Sequence, residues 1–152
     1  VSPVTTCVGP GFCAHSDCDC VIESQRGHDL GRCIYFGSAA PNTGIPGEVG
    51  GYSGERVIKS PSEGIYREIC HIGDYVNTDD IIAYADDVPV RATISGILRG
   101  QLRGGLRVHS GMKVADIDPR AEKSHCFSIS DKARSIGGSA LEAILKLGRE
   151  KF

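Results

Sequence analysis

The sequence predicts a mainly β fold that ends in one amphipathic helical stretch. Three observations carry that expectation. The first is an internal repeat. Residues 57–67 (Val-Ile-Lys-Ser-Pro-Ser-Glu-Gly-Ile-Tyr-Arg) align with residues 89–99 (Pro-Val-Arg-Ala-Thr-Ile-Ser-Gly-Ile-Leu-Arg) at an offset of 32. The offset holds without a gap through Gly73/Gly105, Val76/Val108, Thr78/Ser110, Ile82/Val114 and Ala83/Ala115. The second is glycine. There are 20 in 152 residues, roughly twice the usual share, and they punctuate short β-rich runs. The third is a change of period near the end, where apolar residues begin to recur at three and four. A repeat near 30 residues usually signals an array, but two copies are too few for a solenoid. A duplicated unit closed around a pseudo-two-fold axis is the expected form.

The elements follow in chain order. Residues 1–12 read as a strand ending in Gly9-Pro10-Gly11, a strong turn signal. Residues 20–24 and 32–36 are short β-rich runs, separated by the polar, Gly-containing stretch Arg26-Gly27-His28-Asp29-Leu30-Gly31. Residues 37–54 are rich in glycine and proline and form a long loop or linker. The duplicated unit occupies about 55–118, and in each copy a β run ends at a glycine turn, Gly64 or Gly96. In Gly73-Asp74-Tyr75-Val76-Asn77-Thr78-Asp79-Asp80-Ile81-Ile82-Ala83, Gly permits positive φ and Asp ties the turn to its own backbone. Cys126-Phe127-Ser128-Ile129 reads as one more short strand. Ala133, Ile136, Ala140, Leu141, Ile144 and Leu145 then mark an amphipathic helix. Ser130 is a candidate cap, and Ser139-x-x-Glu142 a second capping box, so Gly137-Gly138 is expected to break the helix in two. Three regions result: 1–54, β-rich with its Gly/Pro loop; 55–118, the duplicated module; and 119–152, a turn, a short strand and the helix.

Composition excludes several classes. Net charge is −2 and the pI about 6.2. No dense basic stripe exists, so no nucleic-acid partner is expected. No run of 18 apolar residues offers a membrane span. Seven cysteines form an odd set with no secretory signal before them. They read as reduced thiols in a cytoplasmic protein, with Cys33 and Cys70 in apolar runs as packing residues. The chain begins at Val1 rather than Met, which reads as a fragment or a processed piece.

The repeat resembles the barrel-sandwich hybrid of lipoyl and biotinyl carrier domains. Those domains share turns of the form Gly-Asp-x-Val-x-x-Gly-Asp-x-Ile, matched by Gly73-Asp74-Tyr75-Val76-Asn77-Thr78-Asp79-Asp80-Ile81-Ile82. In the carriers the modified lysine sits on the hairpin joining the halves. Here that hairpin is Tyr84-Ala85-Asp86-Asp87-Val88-Pro89 and has no lysine, while Met112-Lys113 maps onto Asp80-Ile81. No biotin or lipoate is therefore expected. Other motifs point further. They are Gly9-Pro10-Gly11-Phe12, Arg26-Gly27-His28-Asp29-Leu30-Gly31-Arg32, Pro41-Asn42-Thr43-Gly44-Ile45-Pro46-Gly47, Asp116-Ile117-Asp118-Pro119-Arg120 and Ser130-Asp131-Lys132-Ala133-Arg134-Ser135-Ile136-Gly137-Gly138. With the duplicated module, this set resembles the selenium-dependent molybdenum hydroxylase accessory family (YqeB family) over nearly all of the chain. The resemblance implies a cytoplasmic accessory protein whose partner is a molybdenum hydroxylase or its maturation machinery. It supplies no biochemical mechanism.

Two side-chain sets could carry chemistry. Arg26, His28 and Arg32 span a Gly-rich loop. Two guanidiniums and an imidazole there could grip a phosphate or carboxylate, such as that of a molybdenum- or pterin-related ligand. A surface loop pinned by Arg–Glu pairs, with Glu23 nearby, is the plainer alternative. Cys13, His15, Cys18 and Cys20 are the densest set of soft ligands and could hold zinc. Cys18-x-Cys20 is tight for chelation, and the neighbouring Asp17 and Asp19 disfavour a thiolate. Asp116, Asp118 and Asp131 are candidate acids or oxygen ligands, with Asp118-Pro119 more simply a turn starter. The Gly44–Gly54 loop offers an anion nest or only a series of turns. The reading favoured is a non-catalytic ligand- or partner-binding region, compatible with a homo-oligomer. The alternative is a thiol-based selenium or sulfur transfer protein, or a metal-binding protein, using the Cys13–Cys20 cluster.

Overall fold

The computed structural model describes residues 5–44 and 47–149. The fold is mainly β with one long helix near its C-terminal end. Residues 1–4, read as the start of the first strand, and Ile45-Pro46 of the Gly/Pro loop lie outside the described residues. The chain divides into two compact units, one from residues 1–44 and 129–152, the other from residues 45–128.

The first unit contains strands β1 (Thr6–Val8), β2 (Cys13–Ala14), β3 (Cys20–Ile22), β4 (Cys33–Ile34) and β5 (Gly37–Ser38). β3 lies at the centre of a small sheet, parallel to β1 and antiparallel to β4, while β2 pairs with β5. All three residues of β3 are fully buried. Helix α1 (Asp131–Arg149) packs against β1, β3 and β4.

The second unit contains the repeat. After a short 3₁₀ turn (Gly54–Arg56) come β6 (Val57–Lys59), β7 (Gly64–Glu68), β8 (Tyr75–Val76), β9 (Ile81–Ala85), β10 (Val88–Arg91), β11 (Gly96–Gln101), β12 (Arg107–Val108) and β13 (Lys113–Asp118). One sheet runs β10-β9-β7-β12, the other β6-β13-β11-β8. Adding 32 to strands of the first copy, or subtracting it from the second, turns one sheet into the other. The pairing Gly64↔Val108 becomes Gly96↔Val76, and Tyr66↔Ala85 becomes Leu98↔Ile117. Each copy therefore gives two strands to each sheet. The inner faces meet in one core that includes Ile58, Tyr66, Val76, Ile82, Val90, Leu98, Val108, Val114 and Ile117. This is the pseudo-two-fold arrangement the repeat predicts.

Two local expectations are overturned. Residues 123–126 form a 3₁₀ turn, not part of a strand. Its start is capped by the Glu122 carboxylate, which accepts from Ser124 N–H at 3.2 Å. An isolated apolar pair is too short to compete with that local cap. The helix is continuous through Gly137-Gly138. Ser130 caps it as expected, accepting from Ala133 N–H at 3.2 Å. Ser139 caps nothing; its hydroxyl donates to the Ser135 carbonyl at 2.9 Å in mid-helix. Gly137 and Gly138 have nothing within 4 Å of where a Cβ would stand. Gly137→Ala and Gly138→Ala should each raise stability by about 1 kcal/mol, read as an increase in urea midpoint. A decrease would mean that something packs on those backbones. Among the described residues no helix is long and apolar enough to cross a membrane.

Candidate functional site

The loop 25–32 folds against the start of α1. Gly31 has φ +85°, and a Cβ there would overlap Ser135 Oγ. Only glycine lets the loop backbone approach the helix so closely. Ser135 Oγ donates to Leu30 O at 3.2 Å, and Cys33 Sγ to Ser139 O at 3.3 Å. The three predicted anion-binding residues do not converge. Arg26 forms a bidentate pair with Asp131, Nη1 to Oδ2 at 2.6 Å and Nη2 to Oδ1 at 2.9 Å. The guanidinium holds that carboxyl well below the usual carboxylate range. Arg32 pairs with Asp29 at 3.1 Å on the surface. His28 and Arg32 do line one shallow polar depression, with Asp29, Gly31, Ser135 and Ser139. The acid beside them and the committed Ser hydroxyls make it a poor cradle for an anion. Glu23, the partner that the plainer alternative offers Arg26, is buried and accepts from the Gln25 and Ala40 N–H groups at 2.7 and 2.8 Å.

The cysteines are also placed differently from the predicted set. All seven are free thiols. Cys13 donates to its neighbour's carbonyl, Ala14 O, at 3.5 Å. His15 lies against the Phe36 ring, with centroids 4.8 Å apart. Cys18 and Cys20 are buried, and Cys18 Sγ donates to Cys20 O at 3.2 Å. Beside Cys18 lies Cys7, whose thiol is pushed up first by its hydrogen bond with Cys18 and then by burial. Burial pushes the Cys20 thiol up to about 11, and neighbouring Cys33 adds to it. Among the described residues no three His, Cys, Asp or Glu side chains form a group that could hold a metal ion. The donor set Cys13, His15, Cys18 and Cys20 thus does not fit zinc. A fully buried thiol held that high is also poorly suited to nucleophilic transfer.

The strongest charge cluster was missed as a unit. At the end of β13, Asp118 is buried and held by Arg120 through Nε at 2.9 Å and Nη2 at 2.6 Å, and by Arg99 at 3.2 Å. The hydrogen bonds from Arg120 come first in holding its carboxyl down at about 2. Arg56, also buried, bonds Ile117 O, Gly47 O and Asp116 Oδ2 at 3.2, 3.3 and 3.2 Å. Three guanidiniums and two carboxylates interlock here and act as a clamp on the sheet. The offset of 32 that relates Arg67 to Arg99 and Asp86 to Asp118 was the available signal.

One surface feature of the first unit stands out. Ser139 and Ala143 form the buried face of α1, while Leu141, Ile144 and Leu145 are 58, 56 and 58% exposed. Ala133, Gly137 and Gly138 are exposed too. A helix normally hides its large apolar residues, and contiguous exposed apolar side chains mark an interaction surface.

No family model matches the chain. It is 48% identical over 147 residues to a protein of Escherichia coli (strain K12) called uncharacterized protein YqeB. That alignment covers 97% of this chain and 27% of the relative, so the chain spans about a quarter of that protein's length. Similar solved structures include the product-bound ectoine utilization protein EutE from Ruegeria pomeroyi, at TM-score 0.37 and 22% identity over 41% of this chain and 21% of that one. An aspartoacylase family protein from Mesorhizobium loti matches at TM-score 0.39 and 23% identity, over 45% of this chain and 24% of that one. Likenesses of that extent say nothing about function.

Proposed function

We propose that this chain is a non-catalytic, partner-binding region of an accessory protein for selenium-dependent molybdenum hydroxylases. The observation that carries the binding role is the apolar outer face of α1, where Leu141, Ile144 and Leu145 are exposed while Ser139 and Ala143 are buried. The motif set that resembles the accessory family, and the similarity to YqeB along 97% of the chain, support the assignment to that system. We read the duplicated module as a barrel-sandwich hybrid used as scaffold, a reading supported by its strand exchange. A partner is favoured over an anionic ligand because Arg26 and Arg32 already face Asp131 and Asp29. It is favoured over thiol transfer because Cys20 is fully buried.

The test uses the full-length protein with Leu141→Glu and Leu145→Glu. Glutamate keeps helix propensity at exposed sites, so the fold should survive, checked by an unchanged urea midpoint. Activity and selenium content of a co-expressed selenium-dependent molybdenum hydroxylase should drop about tenfold, the effect expected of removing an apolar anchor. A client enzyme matured normally by the double variant would sink the proposal.

A further inference from the structure

The two copies of the repeat differ on the outer sides of their sheets. In the sheet β6-β13-β11-β8, the chain beyond Asp118 folds back over β11. The 3₁₀ turn Lys123–Cys126 lies against that strand, and Cys126 Sγ donates to Leu98 O at 3.9 Å. Arg120, in the same returning segment, clasps Asp118. Ile97 alternates with the core residue Leu98, so its side chain is on the outer face, and it is only 5% exposed.

In the sheet β10-β9-β7-β12 the same positions lie 32 residues earlier. Ile65 replaces Ile97, Arg67 replaces Arg99, and Asp86 replaces Asp118. Here the chain beyond Asp86 turns directly into β10, and among the described residues no segment returns. Ile65 is 47% exposed. Its ladder partner is Arg107, and Arg67 is paired with Tyr84, so all four side chains share the outer face. The Arg67 guanidinium stacks over the Tyr84 ring at 4.8 Å. Arg99 has Asp118 as its carboxylate, but the equivalent Asp86 is turned to the Ile65 N–H at 2.8 Å. Among the described residues, Arg67 and Arg107 have no carboxylate within ion-pair distance. One half of a symmetric scaffold thus has a returning segment over it and a paired arginine. Among the described residues the other half has neither.

We infer that the outer face of the first sheet, at Ile65, Arg67, Tyr84 and Arg107, docks a segment of a partner protein in which carboxylates flank an apolar side chain. The apolar side chain takes the place over Ile65 that the returning segment takes on β11. The carboxylates answer Arg67 and Arg107, giving charge complementarity that steers association and sets orientation. This surface lies in the second unit and does not depend on the role given to α1.

The probe is the N-acetylated hexapeptide Asp-Glu-Leu-Phe-Asp-Glu, titrated into the ¹⁵N-labelled chain, with Arg-Lys-Leu-Phe-Arg-Lys as the charge-reversed control. The acidic peptide should give saturable shifts clustered at Ile65, Arg67, Tyr84 and Arg107, weakened by added salt. Arg107→Glu, at an exposed residue, should lower its affinity about tenfold, and Leu141→Glu should leave it unchanged. Three outcomes would overturn the inference: no saturable shift at these residues at millimolar peptide, equal binding of the basic peptide, or shifts confined to α1.

Discussion

Replacing Gly96 with alanine should destabilise the duplicated module by more than about 3 kcal/mol. Gly96 has φ +156°, a region that L side chains rarely enter. A Cβ there would overlap the Asp118 carbonyl oxygen and stand 2.9 Å from both the Asp118 carbonyl carbon and Ile117 Cγ2. The obstacle is backbone in the paired strand β13, so relief requires the two central strands to part. Backbone strain costs about 1–3 kcal/mol, and forced overpacking a similar amount. The internal symmetry supplies a control. Gly64, at φ +154°, faces mainly the Asp86 carboxylate at 2.8 Å, with the Ala85 carbonyl carbon at 2.9 Å. Part of that obstacle is a side chain that can swing into solvent. Urea unfolding should therefore rank Gly96→Ala as more damaging than Gly64→Ala. Equal or small effects at both sites would show that the strands are less closely opposed than described.

Asp118→Asn should cost about 3 kcal/mol at neutral pH. It leaves Arg99 and Arg120 without their carboxylate beside a buried position, and breaking such a group typically costs 3–5 kcal/mol. The lower end applies because the Arg120 and Arg99 side chains are 44 and 25% exposed. The sign of the pH effect follows from the depressed carboxyl, about 2 against an ordinary 3.8. The folded state holds its proton more weakly than the unfolded state. The contribution is therefore fully present above about pH 4 and is lost as pH falls through about 2. By that linkage it amounts to roughly 2 kcal/mol. Urea midpoints at pH 7, 4 and 2.5 should show the wild type losing stability across this window and the variant losing less. Parallel acid limbs would assign the loss to other carboxylates.

Much of the fold was legible because it rests on repetition. The offset of 32 predicted two matched halves, and the registers Gly64↔Val108 and Gly96↔Val76 are its direct expression. Ser130 was legible as a cap because the chemistry of an N-cap is local. The face by which α1 packs was not. Counting large apolar residues points to Leu141, Ile144 and Leu145, yet the helix is docked through Ser135, Ser139 and Ala143 because Gly31 lets the loop come close. Close approach selects small residues, and hydropathy does not report that. The candidate sites were less legible still. Arg26 and Asp131 are 105 residues apart in sequence, and nothing local announces that one neutralises the other. The density of soft ligands from Cys13 to Cys20 suggested a metal despite the tight Cys18-x-Cys20 spacing, whereas short strands and turns send those side chains to separate partners.

The exchange of strands between the two copies also governs how the module comes apart. Neither copy contains a whole sheet. Tyr66 on β7 reaches Gln101 on β11 at 3.4 Å, and each central strand has its antiparallel partners drawn from both copies. Detaching one copy would strip two strands from each sheet and open the core along its full length. The module consequently has no half-folded state with a closed interior. Closing it requires the pairings of β6 with β13 and of β7 with β12, which join distant parts of the sequence, a topology that folds slowly and unfolds as one.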